Sequence, residues 1–393
     1  MRIGLVLDRF DRRLGGVEQW TAQLADGLLS RGHEVHVVAR SIAERELRPG
    51  LTPHELPAIS SRLKLADAAA DLLCGLDLDV IHDMGFGWYC DVLQPHGGSR
   101  IAANSQNLNL SPRWARPIRR MAAKMLPRYR EFDALCERQY SSPPADRPWR
   151  VVLAISKMVR NDLERHHRLR DSEIRLVYNG VDTERFSPES RALHRDVVRR
   201  QLTVSPEQTL HLIVAHNLEL KGVPALLRAM ALLQAAGQNA VLAVVGGKRI
   251  ARYERLSQRL GVEGRVRFVG AVDDPTPYYA AADVYTQPTW YDPCSLVLLE
   301  ALACGLPVVT SRFNGAGELV TPGVCGDVLD DPSDVVTLAA AMMRWSSAAT
   351  RSAAGIAARE SMLANTLDRN VDAIVSVYDE IMRARGRLTS RAA

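Results

Sequence analysis

The chain has 393 residues, 47% of them hydrophobic and 24% charged, with a formal net charge of +5. That length allows two domains with real cores and excludes a small scaffold held by disulfides. The 26 Gly, 20 Pro and ordinary hydrophobic content exclude a collagenous, low-complexity or disordered chain.

Residues 2–7 (RIGLVL) form a short apolar run, cut off by Arg9, Arg12 and Arg13, which does not fit a secretory signal. A polar loop ends at Gly15-Gly16, and Val17, Trp20, Leu24 and Leu28 then recur at spacings of 3, 4 and 4. This reads as strand, glycine loop and amphipathic helix. Residues 34–39 (EVHVVA) return to strand, completing a βαβ unit of the kind that builds parallel sheets. Apolar runs at 79–82 and 151–155 continue the pattern.

A second series follows an Arg-rich stretch, 186–208, expected to be a linker carrying one helix. Strands are expected at 210–215, 241–245, 265–269, 284–287 and 307–310, with helices at 224–233, 251–260, 277–282 and 295–304. The run 229–247 is free of charge, but Gln234, Gly237, Gln238 and Asn239 divide it into helix, turn and strand, so it does not span a bilayer. The expected architecture is α/β, with two doubly wound domains, 1–185 and 209–366, facing across a cleft at the carboxyl ends of the strands. A last helix over 367–393 is expected to cross back to the first domain, its basic Arg383, Arg385 and Arg387 complementing a helix carboxyl terminus.

The six cysteines (Cys74, Cys90, Cys136, Cys294, Cys304 and Cys325) never fall as C-x-x-C and lack a histidine at ligand spacing. No zinc or dithiol redox site is therefore expected, and a reducing cytosol fits best.

The run from Asp292 to Pro307 carries the clearest chemical pattern. Pro293 and the N-cap candidate Ser295 open a helix whose first amides, at Ser295, Leu296 and Val297, suit an anion such as a diphosphate. Asp292 precedes that helix and Glu300 lies two turns into it, so both carboxylates can accept hydrogen bonds from one hydroxyl-rich ligand. The same spacing also fits an ordinary helix with negative charge near its start.

Here the sequence resembles the family 4 glycosyltransferases, retaining enzymes of the GT-B fold, in their E-x7-E region. Other segments agree in the same order: Gly15-Gly16-Val17-Glu18, Gln94-Pro95-His96-Gly97, Ser156-Lys157, Tyr178 to Asp182 with Phe186, Lys221-Gly222-Val223, Val245-Gly246-Gly247, Arg265 to Phe268, Ala282-Asp283 and Asn314 to Glu318. Within the family, residues 129–139, 244–263 and 296–300 look most like the lipopolysaccharide core glucosyltransferase branch. Two positions depart from the pattern: Asp292 stands where the first Glu is expected, and His216 where an Arg usually precedes the lysine by five residues.

The resemblance implies transfer of a hexose from a nucleoside diphosphate sugar, with UDP favoured, with retention and without a metal or other cofactor. Lys221 and His216 would be the cations beside the diphosphate, and Gly15, Gly16 and Gly246 would let the backbone approach it. Glu300 would hold the ribose, Asp292 the sugar hydroxyls, and His96 would sit beside the sugar to orient it or stabilise charge. On residues alone, His216 and His96 fit structural histidines as well, the glycine pair fits a plain turn, and Asn179 and Asp182 fit turn-shaping roles.

The net charge is local. Residues 1–100 carry 11 basic and 14 acidic side chains, whereas residues 101–150 carry 10 and 4. Arg113, Arg116, Arg119, Arg120 and Lys124 alternate there with Trp114, Ile118, Met121 and Met125, a basic amphipathic pattern that suits an anionic membrane surface. A solvated face packing its apolar side on the domain is the alternative. Nucleic acid is not expected, since no recognition module or stacking array accompanies the charge. The expected protein is thus a cytoplasmic glycosyltransferase, peripheral on the inner membrane face, acting on a lipid-linked or envelope glycan. A small soluble acceptor, or a silent nucleotide-sugar binder, remains an alternative.

Overall fold

The computed structural model describes residues 1–392, with side chains except those of 113, 122–124, 128 and 387–392. The chain divides into two compact units, Met1–Tyr178 with Asp368–Ala393, and Asn179–Leu367.

The first unit is built on seven strands in the order Leu51–Glu55, Glu34–Ala39, Arg2–Val6, Val80–Asp83, Val92–Leu93, Val151–Ala154, Ile174–Leu176. Every pairing is parallel. A parallel sheet covered on both faces needs unbroken apolar strands, which is why the runs at 2–7 and 151–155 show no alternation. Helix Gly16–Ser30 buries Trp20, Leu24 and Leu28, the face marked by the 3-4-4 spacing, and returns the chain to strand Glu34–Ala39.

The last helix, Leu367–Ala392, belongs to this unit from Asp368 onward. It buries Val371, Ile374, Val377, Tyr378 and Ile381. Its basic end does more than complement a dipole: the helix continues past Arg385, whose guanidinium donates to the Asp79 carbonyl at 2.6 Å and pairs with buried Asp91. Arg147 holds the other oxygen of Asp91 at 2.6 Å.

The second unit is a six-stranded parallel sheet in the order Val266–Gly270, Ala240–Val245, Thr209–Val214, Val284–Gln287, Val308–Ser311, Gly326–Leu329. The stretch expected as a linker, 186–208, lies inside this unit. Its helix Ser190–Gln201 packs on helix Thr276–Ala281, and two of the arginines that make it look like an exposed connector, Arg195 and Arg199, turn inward, while Arg200 is exposed. Arg195 and Arg199 bind Asp283 at 2.6 and 3.0 Å and also donate to the Ala281 carbonyl. The boundary accordingly falls at Tyr178 instead of 185.

Candidate functional site

Two central, adjacent strands of the second unit, Thr209–Val214 and Val284–Gln287, release loops at their carboxyl ends, the edge where α/β sheets bind ligands. The loops grip each other: the Trp290 amide and the Thr289 hydroxyl both donate to the Leu220 carbonyl, at 2.9 and 3.1 Å. Gly222 makes this approach possible. Its φ of 85° lies in the left-handed region, and a Cβ there would stand 2.2 Å from the Pro288 carbonyl oxygen.

That grip delivers Lys221. Its Nζ is ion-paired with Asp292 Oδ2, and both side chains are mostly shielded from solvent, at 19% and 11% exposure. Asp292 is fixed through its backbone, donating to the Phe313 carbonyl and accepting from the Gly315 amide, each at 2.8 Å. The cation and the carboxylate expected at the donor sugar are therefore brought together.

Beyond Asp292, helix Leu296–Ala303 starts at Ser295. Ser295 holds the N-cap position but does not cap the helix with its side chain. Its hydroxyl donates instead to Gln287 Oε1 at 3.0 Å, because Gln287, at the end of the neighbouring strand, is buried and needs the partner. Leu296 and Val297 are partly exposed in the first turn. Glu300 is buried and accepts from the Tyr279 hydroxyl at 2.8 Å. Burial, then the Glu300 charge, pushes the Tyr279 phenol well above its usual range, so it stays protonated and donates.

Residues that sequence reasoning missed tie this corner together. Asn314 donates to Gln287 Oε1 and Thr310 Oγ1 at 3.2 and 3.1 Å. Its side-chain oxygen Oδ1 accepts from the Ser295 amide at 3.4 Å. Asn314 opens the segment Asn314 to Glu318, but nothing in its spacing points to a link with Ser295. Asn179 donates to the Cys294 carbonyl at 3.3 Å, and Asp182 accepts from the amides of Glu184 and Arg185, structural roles for both.

His216 follows the strand Thr209–Val214 and is exposed. Gly246 has a φ of 91°, and a Cβ there would lie 2.5 Å from the Ala215 carbonyl oxygen. The neighbouring strand end by itself demands that glycine.

The remaining residues belong to the first unit. Gly15 is the N-cap of helix Gly16–Ser30 in an extended conformation that any residue can adopt; a Cβ there would stand 2.8 Å from the Glu18 carboxylate. His96 is buried against Trp20, with ring centroids 4.5 Å apart. Burial lowers its pKa to about 3, so at neutral pH it acts as a hydrogen-bonding imidazole and carries no positive charge.

The basic stretch forms helices Arg116–Met125 and Pro127–Tyr140. Trp114, Ile118, Met121 and Met125 are 75%, 57%, 60% and 69% exposed, so the apolar side does not pack on the domain. Arg119 and Arg120 are exposed beside them. Arg116 instead turns back to the Ser111 and Asn109 carbonyls at 3.2 and 3.3 Å. The side chains of Arg113 and Lys124 lie outside the described residues. Among the described residues, no helix is long and apolar enough to cross a membrane, and no three His, Cys, Asp or Glu gather as a metal site.

Two doubly wound parallel sheets with a ligand-facing edge of this kind define the GT-B fold of the glycosyltransferases. The chain belongs to the family 4 glycosyltransferases: residues 14–185 match the model "Glycosyltransferase Family 4", and residues 209–347 match "Glycosyl transferases group 1".

The lipopolysaccharide glucosyltransferase WaaG of Escherichia coli (strain K12) is 23% identical over 328 residues, covering 81% of this chain and 82% of that protein. The D-inositol 3-phosphate glycosyltransferase of Thermomonospora curvata is 27% identical over 401 residues, covering 93% and 90%. Among solved structures, WaaG superposes with a TM-score of 0.80 at 20% identity, covering 96% of this chain and 99% of that one. Anabaena Alr3699/HepE in complex with UDP and glucose superposes with a TM-score of 0.68 at 19% identity, covering 95% and 99%.

Proposed function

We propose that this glycosyltransferase moves a hexose, with retention and without a metal, from a nucleoside diphosphate sugar, UDP-glucose being the favoured donor. The acceptor is a lipid-linked or envelope glycan at an anionic membrane surface on the cytoplasmic side. The observation that carries this reading is the shielded Lys221–Asp292 pair beside the start of helix Leu296–Ala303. The relatives support the donor: WaaG is a lipopolysaccharide glucosyltransferase, and HepE has been solved with UDP-glucose.

A departing diphosphate needs preorganised positive charge and amide dipoles where its charge develops. Lys221 supplies a permanent cation, and the amides of Ser295, Leu296 and Val297 supply a helix terminus. His216, being exposed, adds a nearby donor without a forked permanent charge. In the free protein Asp292 neutralises Lys221. When donor binds, the diphosphate competes for Nζ, and the carboxylate is released to accept from sugar hydroxyls. Glu300, one oxygen held by Tyr279, takes the ribose hydroxyls. His96, neutral in its apolar setting, donates or accepts a hydrogen bond at the sugar.

The bond from the anomeric carbon to the phosphate oxygen breaks as the acceptor oxygen bonds to the same face. The acceptor proton passes to the leaving phosphate, so no protein nucleophile is required. The exposed apolar side of helix Arg116–Met125, flanked by Arg119 and Arg120, supports docking on anionic lipid, each cation contributing about 1 kcal/mol.

The test is the anomeric configuration of the product from UDP-glucose and a membrane-lipid acceptor extract, with and without EDTA. An α-linked product formed equally well in EDTA supports the reading. A β-linked product or loss of activity in EDTA overturns it.

A further inference from the structure

His96 sits in a group of buried polar side chains of the first unit whose other members the chemistry above does not use. Trp20 comes from helix Gly16–Ser30, His82 from strand Val80–Asp83, Gln94 and His96 from the segment after strand Val92–Leu93, and Tyr378 from the last helix. All five are buried. The Trp20 ring contacts both histidines, with its centroid 4.5 Å from that of His96 and 6.4 Å from that of His82.

Among the described residues, five buried polar atoms of this group find no hydrogen-bond partner of good geometry: Trp20 Nε1, His82 Nε2, both amide atoms of Gln94, and His96 Nε2. Buried polar groups are nearly always satisfied, because leaving one bare costs as much as a lost hydrogen bond. So many gathered in one place meet the requirement for a bound water, which needs two to four polar neighbours. His82 Nδ1 bonds the Tyr378 hydroxyl at 2.7 Å, and the Gln94 side chain stands close enough to His82 to favour its protonation against the effect of burial.

We propose that His82 is a positioning residue for His96, its orientation set by Tyr378 and passed on through ordered water held by Gln94 and Trp20. The logic is that of imidazole tautomers, in which the partner of one ring nitrogen decides which nitrogen carries the proton. The phenol donates to His82 Nδ1, which puts the His82 proton on Nε2. That N–H donates to the water, and the water, supported by the Gln94 carbonyl and amide, donates to His96 Nε2. His96 is then left with its proton on Nδ1, the one donor it can offer a sugar oxygen. The last helix thereby sets the hydrogen-bonding polarity of a residue nearly three hundred positions earlier in the chain.

The inference rests on the reading that His96 faces the donor sugar, and its test separates the two. The full chain is labelled with 15N-histidine, and the imidazole nitrogens of His82 and His96 are followed by NMR in wild type, Tyr378→Phe and His82→Asn. Tyr378→Phe removes only the hydroxyl, so the fold is retained. The expected result is a single tautomer of each ring in wild type, with His96 protonated on Nδ1, and mixed tautomers of both rings in Tyr378→Phe. The kcat on UDP-glucose falls roughly three- to tenfold with KM unchanged, the scale of one neutral hydrogen bond. A His82 ring that changes tautomer while His96 does not overturns the coupling. If His96→Ala turns over at the wild-type rate, the role of His96 at the sugar fails, and the NMR result still decides whether the two rings are coupled.

Discussion

Lys221 Nζ and Asp292 Oδ2 form an ion pair between loops that leave adjacent strands of one parallel sheet, 71 residues apart in sequence. Each side chain thereby holds the other. Removing the cation should leave the fold intact, because Lys221 is partly exposed and Gly222, not Lys221, sets the loop geometry.

Asp292 tests the same pair from the other side. Asp292→Asn keeps the backbone bonds to Phe313 and Gly315 but leaves Lys221 without its counter-ion. UDP alone should then bind as tightly or more tightly, while turnover of UDP-glucose drops by roughly tenfold or more through loss of a charged hydrogen bond to the sugar. Titration calorimetry with UDP, alongside steady-state rates, separates the two effects. Weaker UDP binding would contradict the competition between Asp292 and diphosphate.

Glu300 and Tyr279 divide similarly. Glu300→Gln should raise the donor KM about tenfold, since a charged acceptor for the ribose becomes neutral. Tyr279→Phe removes the 2.8 Å bond to Glu300 and the 3.2 Å bond to the Val297 carbonyl and should cost about 1–2 kcal/mol of stability, with the donor KM less affected than in Glu300→Gln. Urea denaturation and donor saturation curves on both variants check this.

Gly222→Ala places a Cβ 2.2 Å from a carbonyl oxygen in a backbone region closed to most residues. A loss of about 1–3 kcal/mol is expected, and donor affinity should fall with it because Lys221 moves. Full stability of the variant in urea would show that the loop approach is not rigid.

Much of the architecture was legible because strands buried on both faces and amphipathic helices leave strong local patterns. Trp20, Leu24 and Leu28 announced their helix, and residues 284–287 and 295–304 announced the strand and helix that frame the site. The arginines of 186–208 misled, since burial of Arg199 against Asp283 is a tertiary fact that no local pattern carries. Strand Val92–Leu93 has only two residues and offers no periodicity. The Gln287, Ser295 and Asn314 network joins three separate elements, so only the fold reveals why Ser295 turns away from its own helix.

Acid should weaken the fold in a defined window. Burial lowers the pKa of His82 and His96 to about 3 and of His167 and His211 to about 4. These bases are neutral when folded and bind protons near pH 6.5 when unfolded. The unfolded state therefore takes up more protons between those values, and the stability present above pH 6.5 is lost progressively as pH falls toward 3–4. Urea midpoints at pH 7.5, 6.0 and 5.0 should decline in that order, and midpoints independent of pH would contradict the buried neutral state.

Membrane docking makes a separable prediction. Arg119→Gln with Arg120→Gln should weaken binding to vesicles containing anionic lipid by roughly tenfold or more, at about 1 kcal/mol per cation. Binding to neutral vesicles should stay equally weak for both proteins. Arg116→Gln should act mainly on stability, because that guanidinium is committed to the Asn109 and Ser111 carbonyls. Sedimentation with vesicles distinguishes these outcomes, and undiminished binding of the double variant would place the surface elsewhere.

The most direct test of the central claim is release of UDP from UDP-glucose, in the presence of a membrane-lipid acceptor extract, by wild type and Lys221→Ala side by side. Turnover by the wild type is expected, with a fall of about 10²- to 10³-fold in the variant, the scale of losing one preorganised group at a developing anion, and an unchanged melting temperature. A wild type that is stabilised by UDP- and GDP-sugars yet turns over none of them, or a Lys221→Ala variant as fast as wild type, would contradict it.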